Sequence, residues 1–104
     1  MIKPLILDVG CGNILSLKNI ILKKTPKILV SCSEEDIKNS THIFLPGVGS
    51  FSKVISKFKE KINAEFLKKH ISEKKVFLLG ICVGMQILSD EGDENGFQKG
   101  LSWI

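Results

Sequence analysis

The chain has 104 residues, 43% hydrophobic and 25% charged, a composition that indicates one folded domain over residues 1–104 and excludes a disordered or collagen-like chain. All 15 basic residues are lysines and the formal net charge is +4; since base and phosphate recognition relies on the arginine fork, we expect a solvated lysine surface and no nucleic-acid partner. The start lacks the pattern of a secretory signal, and the longest apolar run, residues 76–88, is shorter than the roughly 18 residues that cross a bilayer, so we expect a cytoplasmic protein with no membrane partner.

Apolar runs alternate along the chain with apolar residues at helical spacing, which predicts strands separated by helices. In chain order we expect strand 4–9, helix 14–24, strand 27–32, helix 36–39, strand 42–45, one long or two shorter helices over 51–73, strand 76–80, and a helix after Cys82. Pro26 is expected to end the first helix and Pro46 the third strand, because proline lacks a backbone N–H. Strands that are apolar throughout are buried on both faces, so we predict a parallel sheet with helices on both sides and right-handed crossovers.

The last segment differs from the rest. Residues 90–100 are polar and contain glycine, while residues 101–104 are apolar and resemble the beginning of another strand. Because nothing follows to cover that strand, we expect an unfinished sheet and core.

Three cysteines are present, Cys11, Cys32 and Cys82, without a Cys-x-x-Cys pair. This pattern predicts reduced thiols and neither a disulfide framework nor a zinc site, and no metal or cofactor is expected. Cys11 and Cys32 are interpreted as packing thiols. The glycine turn around Cys11 lacks the last glycine of a dinucleotide fingerprint, and the chain has no Walker A pattern, which argues against nucleotide binding.

The motif with the clearest chemistry is Gly-Ile-Cys-Val-Gly at residues 80–84, where a predicted strand passes into a helix. It has the form of a nucleophile elbow with Cys82 in place of serine. Glycines on both sides avoid a collision in the tight turn, and the helix dipole stabilises a thiolate at the helix start. Cys82 is therefore predicted to be a nucleophile, the alternative being a buried cysteine beside packing glycines.

A second motif, Leu-Pro-Gly-Val-Gly at residues 45–49, follows the third predicted strand. Open α/β sheets bind their ligands at the carboxyl ends of their strands. Backbone amides freed by glycine at that edge can point at an anion, although an ordinary strand-to-helix turn would have the same sequence.

Three segments occur here in the order found in class I glutamine amidotransferases: DVGCGN at 8–13, LPGVGSF at 45–51 and LGICVGMQ at 79–86. The chain resembles that family over nearly its whole length, and within it is most similar to the glutaminase subunits of imidazole glycerol phosphate synthase. The resemblance implies an α/β, flavodoxin-like three-layer fold with a mostly parallel sheet, of which this chain would hold a truncated N-terminal half.

The resemblance also implies roles for individual residues. Cys82 would attack the side-chain amide of glutamine, giving a thioester and free ammonia, before water releases glutamate. Backbone N–H groups of the residue after the nucleophile and of the glycine-bearing strand end would form the oxyanion hole, and a glutamine would contact the substrate. The oxyanion and substrate-binding residues implied in this way are Gly47, Val48, Gly49, Val83 and Gln86.

The implied partner is a (β/α)8-barrel cyclase, joined in a heterodimer, that receives the ammonia through a tunnel and uses it in histidine biosynthesis. In the family the catalytic histidine and the glutamate that orients it belong to the C-terminal half. We expect His42 on the side opposite the site and His70 on an exposed helix face, so neither reaches Cys82. The chain alone is therefore expected to be inactive, and also marginally stable and prone to associate.

Three alternatives stay open. The first is an amidotransferase that serves another acceptor, such as one in surface-sugar biosynthesis. The second is a non-catalytic remnant that still docks on the cyclase. The third is a redox or chaperone-like protein of the related flavodoxin-like cysteine superfamily, in which Cys82 would be oxidised selectively.

Overall fold

A computed structural model describes residues 2–10, 12–88, 91–92 and 98–99. Its elements in chain order are β1 (Pro4–Leu7), α1 (Ile14–Leu22), β2 (Leu29–Ser31), α2 (Glu34–Lys38), β3 (His42–Gly47), α3 (Phe51–Lys61), α4 (Ala64–Lys74), β4 (Phe77–Cys82), α5 (Val83–Gln86), β5 (Glu91–Gly92) and β6 (Gln98–Lys99). Within the described ranges, every helix is too short or too polar to cross a membrane. The strand expected to begin at residues 101–104 lies outside the described residues.

Four strands form a parallel sheet in the order β2-β1-β3-β4, which confirms the predicted α/β architecture. The chain first moves from β1 outward to β2, then crosses back to β3 on the other side of β1. The strand order therefore reverses between β1 and β3, and open α/β sheets bind ligands in the crevice at such a reversal. The short strands β5 and β6 pair separately, in antiparallel fashion.

One face of the sheet carries the main core. Alternate strand residues point into it, including Leu5 and Leu7 of β1 and Leu45 of β3, and helices α2, α3 and α4 cover it. Each fully buried side chain of this size stabilises the fold by about 1.5–3 kcal/mol. The buried helix residues that close this layer are Ile37, Phe51, Val54, Ile55, Phe58 and Leu67.

The opposite face is covered less completely. Ile6 of β1 and Ile21 of α1 are buried but do not belong to the main core, which places α1 on this side of the sheet. Phe77 and Leu79 of β4 also point to this side, where 68% and 55% of their surfaces are exposed. The described residues therefore cover this face near β1 and leave it open at β4.

Side-chain caps explain where the helices start. Asn13, Ser33, Ser50 and Asn63 each accept a hydrogen bond from a backbone N–H in the first turn of the following helix. A cap of this kind contributes about 0.5–2 kcal/mol. The Asn63 cap also divides the apolar stripe predicted over residues 51–73 into two helices instead of one.

Several predicted strand ends were wrong: β1 and β2 are shorter than predicted, and β3 and β4 extend further. β3 continues through Pro46 to Gly47, because β1 pairs only as far as Phe44 and β4 alone flanks the end of β3. A proline is tolerated where one side of a strand has no partner that needs its N–H. β4 continues to Cys82 and does not end at residue 80, because it follows β3 to that point.

The prediction for His70 was also wrong. Only 8% of its surface is exposed, and its Nε2 lies 3.3 Å from the carbonyl oxygen of Ser40. His70 stands three residues after the buried Leu67 and therefore on the same side of α4. The side of the helix on which His70 lies decides its burial, whatever the charge of its lysine neighbours in the sequence. His70 is therefore part of the packing between α4 and the segment that precedes β3.

Candidate active site

The strand-to-helix elbow lies where the sequence predicts it. β4 ends at Cys82 and α5 begins at Val83, with no residue between them. The backbone therefore changes direction at the proposed nucleophile, at the carboxyl edge of the sheet. This is the position that a nucleophile elbow requires.

Gly84 shows why the turn needs glycine. A Cβ atom built on Gly84 would collide with the carbonyl oxygen of Leu45 and would lie 3.1 Å from the carbonyl carbon of Pro46. The first turn of α5 thus packs directly against the backbone of β3. Any larger residue would push α5 away from β3 and displace the start of the helix.

The register of the sheet brings the two predicted motifs together. Gly47 at the end of β3 is paired with Cys82 at the end of β4, and Pro46 is paired with Ile81. Neighbouring strands lie about 4.8 Å apart. The backbone that carries the expected oxyanion donors therefore runs beside the backbone of the nucleophile.

Beyond Gly47 the chain turns into α3. Val48 is exposed, and Gly49 has a φ of +114°, which L side chains rarely adopt. Nothing lies within 4 Å of a Cβ atom built on Gly49, so its requirement for glycine is conformational and not steric. The Ser50 side chain then accepts from the Lys53 N–H at 3.3 Å and begins α3.

The turn after β1 forms the other wall of the site. Asp8 Oδ1 accepts a hydrogen bond from the Gly10 N–H at 2.9 Å. A Cβ atom on Gly12 would lie 3.0 Å from the ring of Pro46. This turn therefore packs against the end of β3, at the point where the strand order reverses.

An open cavity of about 420 Å³ lies between these two glycine turns, lined by Gly10, Gly12, Asn13, Val48 and Lys53. Sequence reasoning did not include Lys53 or Asn13 in the site. Lys53 is one of several lysines in α3, and it lies at this edge because α3 begins just after the Ser50 cap. Nothing in the neighbouring sequence distinguishes Lys53 from the other lysines of the helix. Asn13 is the last residue of the DVGCGN segment at 8–13, so that segment could have identified it as a residue of the site.

The two histidines lie at the other end of the sheet. His42 is the first residue of β3, where its ring stacks on Phe77 with centroids 4.9 Å apart and its Nδ1 lies 2.9 Å from Thr41 Oγ1. Gly47 is the fifth residue after His42 along β3, roughly 16 Å away at the usual rise of a strand. Since His70 contacts Ser40, next to this end of β3, neither ring lies near the elbow, as the sequence predicted.

The remaining cysteines and the α5 residues named in the sequence analysis lie as follows. Cys32 is a free thiol that packs against the main core, which confirms its structural role, whereas Cys11 lies outside the described residues. Val83 begins α5, and Gln86 ends it with an exposed side chain. In the described part of the chain no group of three or more His, Cys, Asp or Glu side chains could hold a metal ion.

Residues 6–96 match the family described as glutamine amidotransferase class-I. The chain therefore belongs to the class I glutamine amidotransferases.

Several curated relatives carry a more specific name. The imidazole glycerol phosphate synthase subunit HisH of Leptospira interrogans is 38% identical over 99 residues, which cover 95% of this chain and 48% of the relative. Subunit HisH 2 of Methanococcus maripaludis is 39% identical with the same coverage, and HisH of Zymomonas mobilis is 35% identical over 105 residues. The chain thus spans about half the length of the curated relatives it matches.

Proposed function

We propose that this chain is the nucleophile-bearing part of a glutaminase subunit of imidazole glycerol phosphate synthase. The observation that carries the proposal is the pairing of Gly47 with Cys82, which places a glycine-rich strand end beside the elbow cysteine. The family membership and the HisH names of the relatives support the same reaction class.

In the proposed reaction the Cys82 thiolate adds to the carboxamide carbon of glutamine. The carbon–nitrogen bond then breaks, ammonia leaves with an added proton, and a thioester remains; water adds to the thioester and releases glutamate and the thiol. The N–H of Val83 at the start of α5 and the backbone of Gly47, Val48 and Gly49 are the proposed donors to the oxyanion. Gln86, one turn along α5, is the proposed contact to the substrate.

Each of these steps moves a proton and needs a base within hydrogen-bond reach of Cys82. His42 and His70 lie at the amino end of the sheet and do not fill this role. We therefore infer that residues 1–104 by themselves do not turn glutamine over.

The names of the curated relatives support one ammonia acceptor. The HisH relatives are named as subunits of imidazole glycerol phosphate synthase, which favours this pathway over surface-sugar biosynthesis. We propose a (β/α)8-barrel cyclase as the partner, in the cytoplasm, with ammonia passing to it for histidine biosynthesis.

The nucleophile can be tested without turnover. The purified chain is treated with a glutamine analogue that carries an electrophilic ketone, and adducts on its three cysteines are quantified by peptide mass spectrometry. We expect the adduct on Cys82, slower labelling in excess glutamine, no adduct in Cys82→Ala, and unchanged labelling in the matched control Cys32→Ala. Equal labelling of all three cysteines that glutamine does not slow would contradict the proposal.

A further inference from the structure

A basic cavity lies at the amino edge of the sheet, at the opposite end of the strands from the candidate site. Its volume is about 510 Å³, which is within the range of roughly 300–1,000 Å³ that small-molecule sites have. Among the described residues that line it, none is acidic. We call it the amino-edge cavity, and its basic residues are Lys3, Lys38, His42, His70, Lys74 and Lys75.

The topology explains why these lysines meet. In a parallel sheet every strand starts at the same edge, and the helix that precedes a strand ends there as well. Lys38 lies in the last turn of α2 and Lys74 in the last turn of α4, where a cation offsets the negative end of a helix. Each helix end carries about half a negative charge, so two ends balance about one of the four ammonium groups. Most of the positive charge of the cavity is therefore not accounted for by the helix ends.

Lys75 stands at a position where the backbone favours glycine. It ends α4 with a φ of 53°, and among the described residues it is the only one other than glycine with a positive φ. Helices often end on a residue in this left-handed conformation, which is usually glycine because a side chain makes the conformation less favourable. Helix termination therefore does not explain a lysine here, whereas its ammonium group adds charge to the cavity.

The wall between the lysines is held by its own contacts. His70, only 8% exposed, donates from Nε2 to the Ser40 carbonyl oxygen at 3.3 Å, because a carbonyl oxygen can only accept. The His42 ring stacks on Phe77, and the backbone N–H of Phe77 donates to the Thr41 carbonyl oxygen at 3.1 Å. The shape of the cavity is thus fixed before a ligand arrives, and the lysine side chains around it supply the charge.

We propose that the amino-edge cavity binds a small phosphate compound with two or more negative charges. An ammonium group is a compact point charge that suits a tetrahedral phosphate approached from several directions, whereas planar, bidentate recognition of a carboxylate favours arginine. Here the ammonium groups converge from β1, α2 and the end of α4. This site lies at the other end of the sheet from Cys82 and is independent of the proposed function.

Binding can be located without a variant, because the chain has two histidines and both line the amino-edge cavity. Inorganic pyrophosphate is titrated into the purified chain at constant ionic strength without divalent cations. The ring-proton NMR signals of His42 and His70 are followed, and the dissociation constant is measured by calorimetry. Glucose 6-phosphate is titrated as a phosphate ester, and citrate as an anion without phosphate.

Three variants test the lysines. We expect saturable shifts of both histidine signals and a dissociation constant below about 1 mM for the unaltered chain, and about tenfold weaker binding in Lys74→Gln and in Lys75→Gly. Lys75→Gly should keep or raise the midpoint of urea unfolding, because glycine suits its backbone conformation, so its weaker binding is not a loss of fold. The matched control is Lys69→Gln, an exposed lysine of α4 outside the cavity, which should bind within about twofold of the unaltered chain.

The outcomes separate the sources of phosphate. Binding of glucose 6-phosphate as tightly as pyrophosphate would assign the site to phosphate esters, and binding of pyrophosphate alone would assign it to inorganic phosphates; either supports the proposal. It is overturned if neither compound shifts the histidine signals, if Lys69→Gln weakens binding as much as Lys74→Gln, or if citrate binds as tightly as pyrophosphate. Pyrophosphate should leave Cys82 labelling unchanged, so a negative result here does not affect the proposed function.

Discussion

At the scale of single residues, Gly84 is the position where the elbow tolerates least change. In Gly84→Ala the added methyl group meets the carbonyl oxygen of Leu45, and forcing extra volume into a packed site costs about 1–3 kcal/mol. We expect a lower midpoint in urea unfolding and a strong loss of Cys82 labelling, because the start of α5 is displaced. Ser56→Ala, on the exposed side of α3, is the control. A Gly84→Ala chain with the midpoint and labelling of the unaltered chain would show that α5 has room to move.

His70 gives a second test at this scale. His70→Ala removes the contact with the Ser40 carbonyl and the volume of a buried ring, so we expect a loss of about 1–3 kcal/mol in the free energy of unfolding. The rate of Cys82 labelling in the folded fraction of this variant should stay within about twofold of the rate in the unaltered chain, since the His70 ring lies at the other end of the sheet. His42→Ala should likewise leave labelling unchanged. A large decrease in either variant would place a histidine in the site.

The residues of the site were predictable to different degrees. The position of Cys82 was predictable because glycine two residues to either side is a requirement of the turn itself, and this requirement appears in the sequence. The burial of His70 was not predicted, because two features of the sequence conflict. Its lysine neighbours indicate a solvent-exposed side chain, whereas its spacing of three residues from Leu67 places it on the buried side of α4. Lys53 was missed since its place at the cavity depends on how α3 leaves β3.

At the scale of helices and strands, the type and order of elements in the sheet region were predictable from apolar patterning, but their ends were not. Pro46 appears to stop a strand when it is considered alone. Whether a missing N–H matters depends on which neighbours the strand has, and β1 ends before Pro46 is reached. In the same way β4 reaches Cys82 because β3 extends beside it. Strand ends are set by pairing partners that are distant in sequence.

The cap of α3 links an element to the site. Ser50→Ala removes the bond to the Lys53 N–H and should cost about 1 kcal/mol. Ser33→Ala removes the equivalent bond at α2 and should cost a similar amount, measured by urea unfolding. Only Ser50→Ala should also slow Cys82 labelling, because Ser50 follows Gly49 and holds the turn beside the elbow. Equal labelling in the two variants would show that the turn is held without its cap.

At the scale of the whole molecule, the sequence predicted the parallel sheet and the position of both histidines away from the elbow, yet it did not predict where the described fold is open. The open region is the side of β4 that carries the exposed Phe77 and Leu79, and it became visible only when the register assigned these residues to the side away from α3 and α4. Alternation within β4 divides its residues into two sets. The sequence does not indicate which of these two sets a helix covers. The covered set depends on the face of the sheet along which the connecting helices cross from one strand to the next.

This open face predicts how the isolated chain behaves in solution. An exposed apolar patch beside an unpaired strand edge promotes association between chains, so we expect heterogeneous, concentration-dependent association in analytical ultracentrifugation and a broad thermal transition. Leu79→Lys should reduce the association, whereas Leu29→Lys, a change at an exposed leucine on the opposite edge of the sheet, should reduce it much less. The chain alone would contradict this expectation if it were a monomer with a sharp, cooperative melt, since its described fold would then be stable with Phe77 and Leu79 exposed.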